Sequence, residues 1–448
     1  MIAWQSEIER IIEPAVARSA AIREVIIAAD VLSGAADLHR RIAGEAPVLL
    51  IADDNTLAAA GAAVSAVLEG AGIAVRRYVL PASPLPKPTL ALGQAIAAEI
   101  AGTEAVPVAV GSGVINDLVK FAAFSVDRPY WCVPTAASMD GYASGGAPLS
   151  DAGFKKTIPC RPAAAILADL SVIAAAPVEM TGWGYGDLVG KMPAGADWLI
   201  ADTLGVEPVD SYPWSLVQNS LRRWLGDPAT LAAADPAAVA NLFLGLTVVG
   251  LAMEAHGSSR PASGADHQIA HLWEMQGLAQ NGEPVAHGAC VAVGAVTVLS
   301  LYDWLLNQDL ANHVPPPAPT AEARRAEIEA AFPDPAVAAR ALAETEAKAG
   351  DPAAREARLA AIRATWPKLR ARLRGQLMPA AAMADRLRQA GCPTRAADIG
   401  VDPAGHREVT LAARFLRSRY TVLDLLDETG LLEPAVDAVF AQPEFRAA

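Results

Sequence analysis

Three short pieces of this 448-residue sequence carry side chains that could hold a cation: Gly186-Asp187-Leu188, then Gly264-Ala265-Asp266-His267-Gln268-Ile269-Ala270-His271, then Ala286-His287-Gly288. His267 and His271 stand at i and i+4, so on a helix they face the same side. The chain has only 7 histidines, and three of them fall in this region. A carboxylate with two imidazoles suits Zn2+, Fe2+ or Ni2+ and leaves coordination positions open for substrate oxygens. A lone histidine in a helix is more often structural, so spacing alone leaves both readings standing. No Ser-His-Asp or Cys-His motif competes with this set.

Three other pieces have the residue types of a nucleotide site. The run VPVAV at 106–110 leads into Gly111-Ser112-Gly113-Val114-Ile115-Asn116-Asp117, where the glycines permit a tight turn and Asn116 and Asp117 are expected in the first turn of the next helix. Such a turn points backbone N–H groups at a phosphate, although glycine after a strand is also common for conformational reasons alone. Its place after the third strand-like run departs from the usual first-strand fingerprint. The first run ends in Asp53-Asp54-Asn55-Thr56. An acid there can accept from ribose hydroxyls and repel a 2′-phosphate, or the segment, Asn55 above all, simply caps the helix that follows. The fourth run leads into Pro134-Thr135-Ala136-Ala137-Ser138-Met139-Asp140-Gly141-Tyr142-Ala143-Ser144, whose small polar residues let a planar ring lie close to backbone or make an ordinary turn.

The elements that must position these residues fall into two kinds. From Pro47 to Ala168, short apolar runs at 47–52, 72–80, 106–110 and 130–133 alternate with Ala-rich amphipathic segments, the pattern of successive βα units around a parallel sheet covered on both faces. Beyond about Thr181 the β-prone runs stop and long helical patterns continue to the carboxyl end. The expected organisation is therefore a Rossmann-like α/β domain over 1–180, carrying the candidate nucleotide residues, and an all-helical domain over 181–448, carrying the candidate metal ligands. HVPPPAPT at 313–320 cannot be helical through its prolines and is expected as a surface connection, followed by solvated helices from about Ala321 to Arg374.

Composition excludes some partners. With 36 Lys+Arg against 49 Asp+Glu, the formal charge of -13 would repel a nucleic-acid backbone. Cys132, Cys160, Cys290 and Cys392 show neither zinc-ribbon nor redox spacing, which suits a reducing cytoplasm. The amino terminus lacks the basic and apolar regions of a signal peptide. The most membrane-like stretch, Ala237 to Met253, contains Asn241, Thr247 and two glycines and reads as a buried helix rather than a span.

These residues resemble the sn-glycerol-1-phosphate dehydrogenase family, its bacterial branch above all, within the iron-containing alcohol dehydrogenase and dehydroquinate synthase superfamily. The resemblance rests on PTAASMDGYASGGAPL at 134–149, GFKKTI at 153–158, ILADLSVI at 166–173, GYGDLVGK at 184–191, SRPASGADHQIAHLWEM at 259–275 and LRSRYTVLDL at 416–425. It implies a dehydroquinate synthase-like fold with the reaction in a cleft between the domains, NAD(H) or NADP(H) as cofactor and one divalent metal, Zn, Ni or Fe. By the same similarity Gly113, Val114, Ile115, Asn116 and Asp117 hold the pyrophosphate, Asp54 the adenosine ribose, and Thr135, Ala136, Ala137, Ser138 and Ser144 the nicotinamide side. Asp187, His267 and His287 are the implied metal ligands. Asp140 and His271 match positions that contact substrate, and Asp187 is implied to touch it too. The implied reaction reduces dihydroxyacetone phosphate to sn-glycerol 1-phosphate in a cytoplasmic homo-oligomer, a dimer or larger.

The alternatives are a glycerol or other polyol dehydrogenase without a phosphate pocket, or a dehydroquinate-synthase-like cyclase. Departures from the family pattern bear on the substrate: Lys191-Met192-Pro193-Ala194-Gly195-Ala196-Asp197-Trp198 stands where a run like KYTALADW is expected, and the loop 204–216 carries prolines. Within a chain of charge -13 a phosphate needs local donors, and Lys155, Lys156 and Arg260 are the candidates. The competing expectation places the lysines on the surface and pairs Arg260 with a carboxylate.

Overall fold

The structure, a computed structural model, describes residues 5–151 and 154–446. Residues 1–4, part of the stretch read for a leader, and Gly153 of GFKKTI lie outside the described residues. Apolar side chains at consecutive positions require cover on both strand faces. β2 (Val48–Asp53), β4 (Val106–Gly111), β5 (Trp131–Pro134) and β8 (Ala165–Asp169) are buried at every position. They form the interior of a six-stranded parallel sheet of order β1-β8-β5-β4-β2-β3, with β1 spanning Glu24–Ala28 and β3 Val75–Leu80. The two edges are more exposed, and β3 blunts its outer edge with Arg76 and Arg77, paired to Glu99 and Glu69. Between β5 and β8 the chain makes an antiparallel hairpin of β6 (Gly146–Asp151) and β7 (Phe154–Pro159).

The strand order explains where the glycine turn stands. From β2 the chain moves outward to β3, returns to β4 on the other side of β2, and then continues away to β5. The crevice at the carboxyl ends of β2 and β4 is thus the topological switch point, where ligands bind in open parallel sheets. Asp53-Asp54 follow one of these strands and Ser112-Gly113 the other.

The chain forms two units, Met1–Leu188 with Ser215–Ser259, and Val189–Trp214 with Arg260–Ala448. A single break after residue 180 does not express this division, because residues 215–259 return to the sheet-bearing unit. The helix Pro236–His256 packs there against the turn Gly141–Ala143. Gly250 makes the approach possible, since a Cβ at that position would lie 2.7 Å from the Asp140 carbonyl oxygen. This helix and His287–Leu305 are long and apolar enough to cross a membrane, but 72% and 89% of their apolar windows are buried within the protein. They are core helices.

The second unit is helical apart from two two-residue strands at Ala279–Gln280 and Glu283–Pro284. Its centre is the packing of Ala265–Met275 against His287–Leu305. Gly294 brings these helices together, its missing Cβ leaving room 2.5 Å from the Asp266 carbonyl oxygen. Residues 313–320 are non-helical as their prolines require, and the helices Ala321–Ala331, Pro335–Ala349 and Pro352–Gln376 follow.

Candidate functional site

At the end of β2 the helix cap is Asp53, not Asn55: Thr56 N donates to Asp53 Oδ1 at 2.7 Å, and Asp53 N donates back to Thr56 Oγ1 at 3.0 Å. Asp54 is exposed, and its Oδ2 accepts from Ala82 N at 3.0 Å, tying the end of β2 to the segment after β3.

After β4 the helix Gly113–Ser125 begins with Gly113, Val114 and Ile115 in its first turn and no acid there, so its N-terminal N–H groups keep their positive end. Asn116 and Asp117 lie just past the first turn in which the sequence pattern places them, as the fourth and fifth helical residues, because helical geometry starts already at Gly113. Both are buried and turned inward: Tyr130 Oη donates to Asn116 Oδ1 at 3.3 Å, and Lys120 Nζ lies 3.2 Å from Asp117 Oδ1.

Lys120 escaped the sequence reading. Its side chain is fully buried, and Nζ donates to the carbonyls of Gly141 at 2.7 Å and Gly146 at 2.9 Å besides reaching Asp117. A buried ammonium is tolerated only with such a set of acceptors. It pins both ends of the segment that follows Asp140, and its only sequence signal is the i,i+3 spacing from Asp117. Thr135, Ala136 and Ala137 are buried and Ser138 half-buried; Tyr142 Oη donates to Ala136 O at 3.0 Å and Ser144 Oγ to Gly141 O at 3.0 Å. The same unit brings two expected residues together, since Asp140 N donates to Oδ2 of the fully buried Asp187 at 3.0 Å.

In the second unit, His267, His271 and His287 form one cluster, with ring centroids 5.4 Å apart for His267 and His287, 5.3 Å for His271 and His287, and 6.1 Å for His267 and His271. Each ring turns Nδ1 to a carboxylate. Asp266 Oδ2 is 2.6 Å from His267 Nδ1, Glu274 Oε2 is 2.9 Å from His271 Nδ1, and Glu274 Oε1 is 2.8 Å from His287 Nδ1. Lys191 Nζ, also buried, lies 3.5 Å from His267 Nε2. The Asp266 carboxylate accepts, so the ring hydrogen of His267 sits on Nδ1 and Nε2 is the nitrogen on the Lys191 side. Sequence spacing found the histidines but not Asp266, Glu274 or Lys191 as their partners.

Asp197 holds the helix that carries His267. Its Oδ2 accepts from Ala265 N at 2.7 Å, and its Oδ1 accepts from Val422 N at 2.9 Å and Tyr302 Oη at 2.6 Å. One carboxylate thus caps two helices, Ala265–Met275 and Val422–Glu428, and burial pushes it up to about 6. Arg260 is engaged in the same core: Nε lies 3.1 Å from Glu207 Oε2 as an ion pair rather than an aligned hydrogen bond, while Nη2 donates to Asp197 O at 3.1 Å and to Tyr420 O at 3.3 Å. Burial, and then the charges of Arg260 and Arg417, bring Arg419 down to about 9, and its Nη1 donates to Ser263 O at 2.7 Å. Lys156 is exposed and paired with Asp151 at 3.3 Å. The side chain of Lys155 lies outside the described residues.

Residues 26–177 match the iron-containing alcohol dehydrogenase family. Over 327 residues, 73% of this chain and 71% of the relative, the sequence is 33% identical to glycerol-1-phosphate dehydrogenase [NAD(P)+] of Bacillus subtilis. It is 34% identical to the enzyme of that name from Bacillus velezensis, over 60% of this chain and 68% of the relative. For the one from Halalkalibacterium halodurans the values are 35%, 59% and 66%. Among solved structures, glycerol dehydrogenase from Schizosaccharomyces pombe superposes with a TM-score of 0.56 at 14% identity, covering 95% of this chain and 94% of its own. NADH-dependent butanol dehydrogenase A from Thermotoga maritima superposes with a TM-score of 0.57 at 15% identity, covering 92% and 96%. The likeness to these two concerns the fold: a parallel sheet unit followed by a helical one.

Proposed function

The chain belongs to the glycerol-1-phosphate dehydrogenase family, and from that premise we propose that it passes a hydride between NAD(P)H and dihydroxyacetone phosphate, forming sn-glycerol 1-phosphate and NAD(P)+ with uptake of one proton. The reaction is reversible. The observation that carries this reading is the cluster of three imidazoles whose Nδ1 atoms all face carboxylates. Carboxylates behind imidazoles are the usual second layer of a metal site. Asp266 also keeps a buried oxygen, Oδ1, with no hydrogen-bond partner among the described residues. The residues present therefore fit a divalent cation.

We assign Asp187, His267 and His287 as its ligands, and zinc, nickel and iron all suit that set. When bound, the metal acts as a Lewis acid on the C2 oxygen of the ketone while the nicotinamide supplies the hydride from C4. Asp140 and His271 position the substrate, and solvent supplies the proton for the C2 oxygen through His271, whose Nε2 takes a proton from water and passes it on, the steps reversing on oxidation. The N–H groups of Gly113, Val114 and Ile115 hold the pyrophosphate, and residues 135–138 with Ser144 line the nicotinamide. Asp54 reads the ribose and favours NADH over NADPH. We place the enzyme in a reducing cytoplasm, which the spacing of its four cysteines suits.

One observation favours the polyol dehydrogenase without phosphate recognition: Lys156 and Arg260 are both in ion pairs. The relatives named for glycerol 1-phosphate favour the phosphorylated substrate. The deciding assay uses metal-stripped protein reloaded with Zn2+, Ni2+ or Fe2+, both reduced nicotinamides, and dihydroxyacetone with and without its phosphate. We expect net NADH oxidation with dihydroxyacetone phosphate and at least tenfold lower kcat/KM without the phosphate. Equal rates on both would transfer the assignment to a polyol dehydrogenase, and accumulation of NAD+ would exclude a cyclase that re-reduces its own substrate.

A further inference from the structure

Glu274 lies three residues after His271 on the helix Ala265–Met275, so the two side chains share one face. The two short strands after this helix return the chain to His287, the first residue of the next helix. Glu274 thereby meets two imidazoles, Oε2 at 2.9 Å from His271 Nδ1 and Oε1 at 2.8 Å from His287 Nδ1. The side chains of Glu274 and His271 are only 12% and 13% exposed, and that of His287 29%. Interactions so withdrawn from water are not the weak, screened pairs of a surface.

These three side chains could instead grip an ion of their own. Two bonds of about 2.0–2.1 Å at a tetrahedral angle would set the donor atoms roughly 3.3 Å apart. The observed 2.8 and 2.9 Å are shorter and match N–H···O hydrogen bonds. An ionised carboxylate only accepts, so both rings carry their hydrogen on Nδ1 and keep Nε2 as the lone-pair nitrogen.

We propose that Glu274 is a positioning residue serving two functions with one carboxylate: it orients the metal ligand His287 and the substrate-contacting His271 together. The inference rests on the assignment of those two histidines made above. Because each oxygen serves a different ring, the two orientations are coupled. A carboxamide has one acceptor oxygen and one donor nitrogen, so Glu274→Gln can hold only one imidazole in the Nδ1–H form and donates to the Nδ1 of the other. Glu274→Ala releases both.

The test has two arms. In the first, the full chain is labelled with 15N-histidine, stripped of metal and observed by NMR at pH 8, with His271→Ala and His287→Ala spectra assigning the signals. Wild type should show both rings as Nδ1–H tautomers, Glu274→Gln should move one of them toward Nε2–H, and Glu274→Ala should move both. In the second, Zn2+ alone is titrated calorimetrically, and Glu274→Ala should weaken it roughly 10- to 100-fold at an unchanged Tm. If both rings keep the Nδ1–H form in Glu274→Ala, or if zinc affinity is the same in that variant, the role of Glu274 is overturned while the family reaction stands. If wild type itself fails to bind Zn2+, the ligand assignment falls instead, and the tautomer arm alone decides on Glu274.

Discussion

At the carboxyl edge of the sheet the polar side chains bind the chain to itself, whereas around the histidines they hold other side chains. Asp53 caps its own helix, Asp54 ties down Ala82 N, and Lys120 fastens the carbonyls of Gly141 and Gly146. What this region offers a ligand is backbone N–H and small residues in a pinned loop. In the second unit Asp266 and Glu274 spend their oxygens on imidazoles, and Asp197 holds the helix beneath them. A site made of backbone should degrade gradually when its supports are changed, while a site made of oriented side chains should fail all at once.

The sharpest break in this contrast is expected at the histidines. His267→Ala or His287→Ala should abolish bound metal and activity while the circular dichroism spectrum stays that of wild type. Stoichiometric metal in purified His267→Ala would remove that residue from the ligand set.

Next in size is the loss of the buried ammonium of the first unit. Lys120→Met leaves Asp117 as an uncompensated buried charge and should cost about 3–5 kcal/mol in urea unfolding of that unit. It should also raise KM for NADH by a larger factor than it weakens zinc, whose assigned ligand Asp187 belongs to the same unit. A variant that loses zinc affinity as much as NADH affinity would show that the regions are not independent.

Asp197 gives a pH signature to the second unit. Its folded value, about 6, is above the unfolded carboxylate value, so the folded state holds the proton longer. Its contribution is therefore most favourable below about pH 4 and declines as pH rises to about 6, by about 3 kcal/mol in all. Comparing urea midpoints of wild type and Asp197→Asn from pH 4 to 7 isolates this effect. A difference that stays flat across the window would mean that Asp197 remains ionised throughout.

The smallest effect is expected at Lys156, whose exposed pair with Asp151 is worth at most about 1 kcal/mol. Lys156→Ala should change kcat/KM for dihydroxyacetone phosphate and for dihydroxyacetone by the same small factor. A selective loss of tenfold or more on the phosphorylated substrate would place Lys156 at the phosphate after all.

Much of the architecture was legible in the chain because its cause is local. β2, β4 and β5 read as continuous apolar runs, since strands covered on both faces have no reason to alternate, and His267 and His271 announce a shared face by their spacing alone. β1 was missed; it is a partly exposed edge strand whose partner among the described residues, β8, lies far along the chain. Asn116 and Asp117 are the fourth and fifth residues of their helix rather than in its first turn, because the start of a helix depends on where the preceding loop lets it begin. Beyond such local rules, only packing could decide which acid meets which base. Glu274 reaches His287 across 13 residues, and Asp197 reaches Ala265 and Val422 across 68 and 225. A buried carboxylate must find donors to offset its desolvation, but nothing in the linear order says which donors the fold will bring within 3 Å of it.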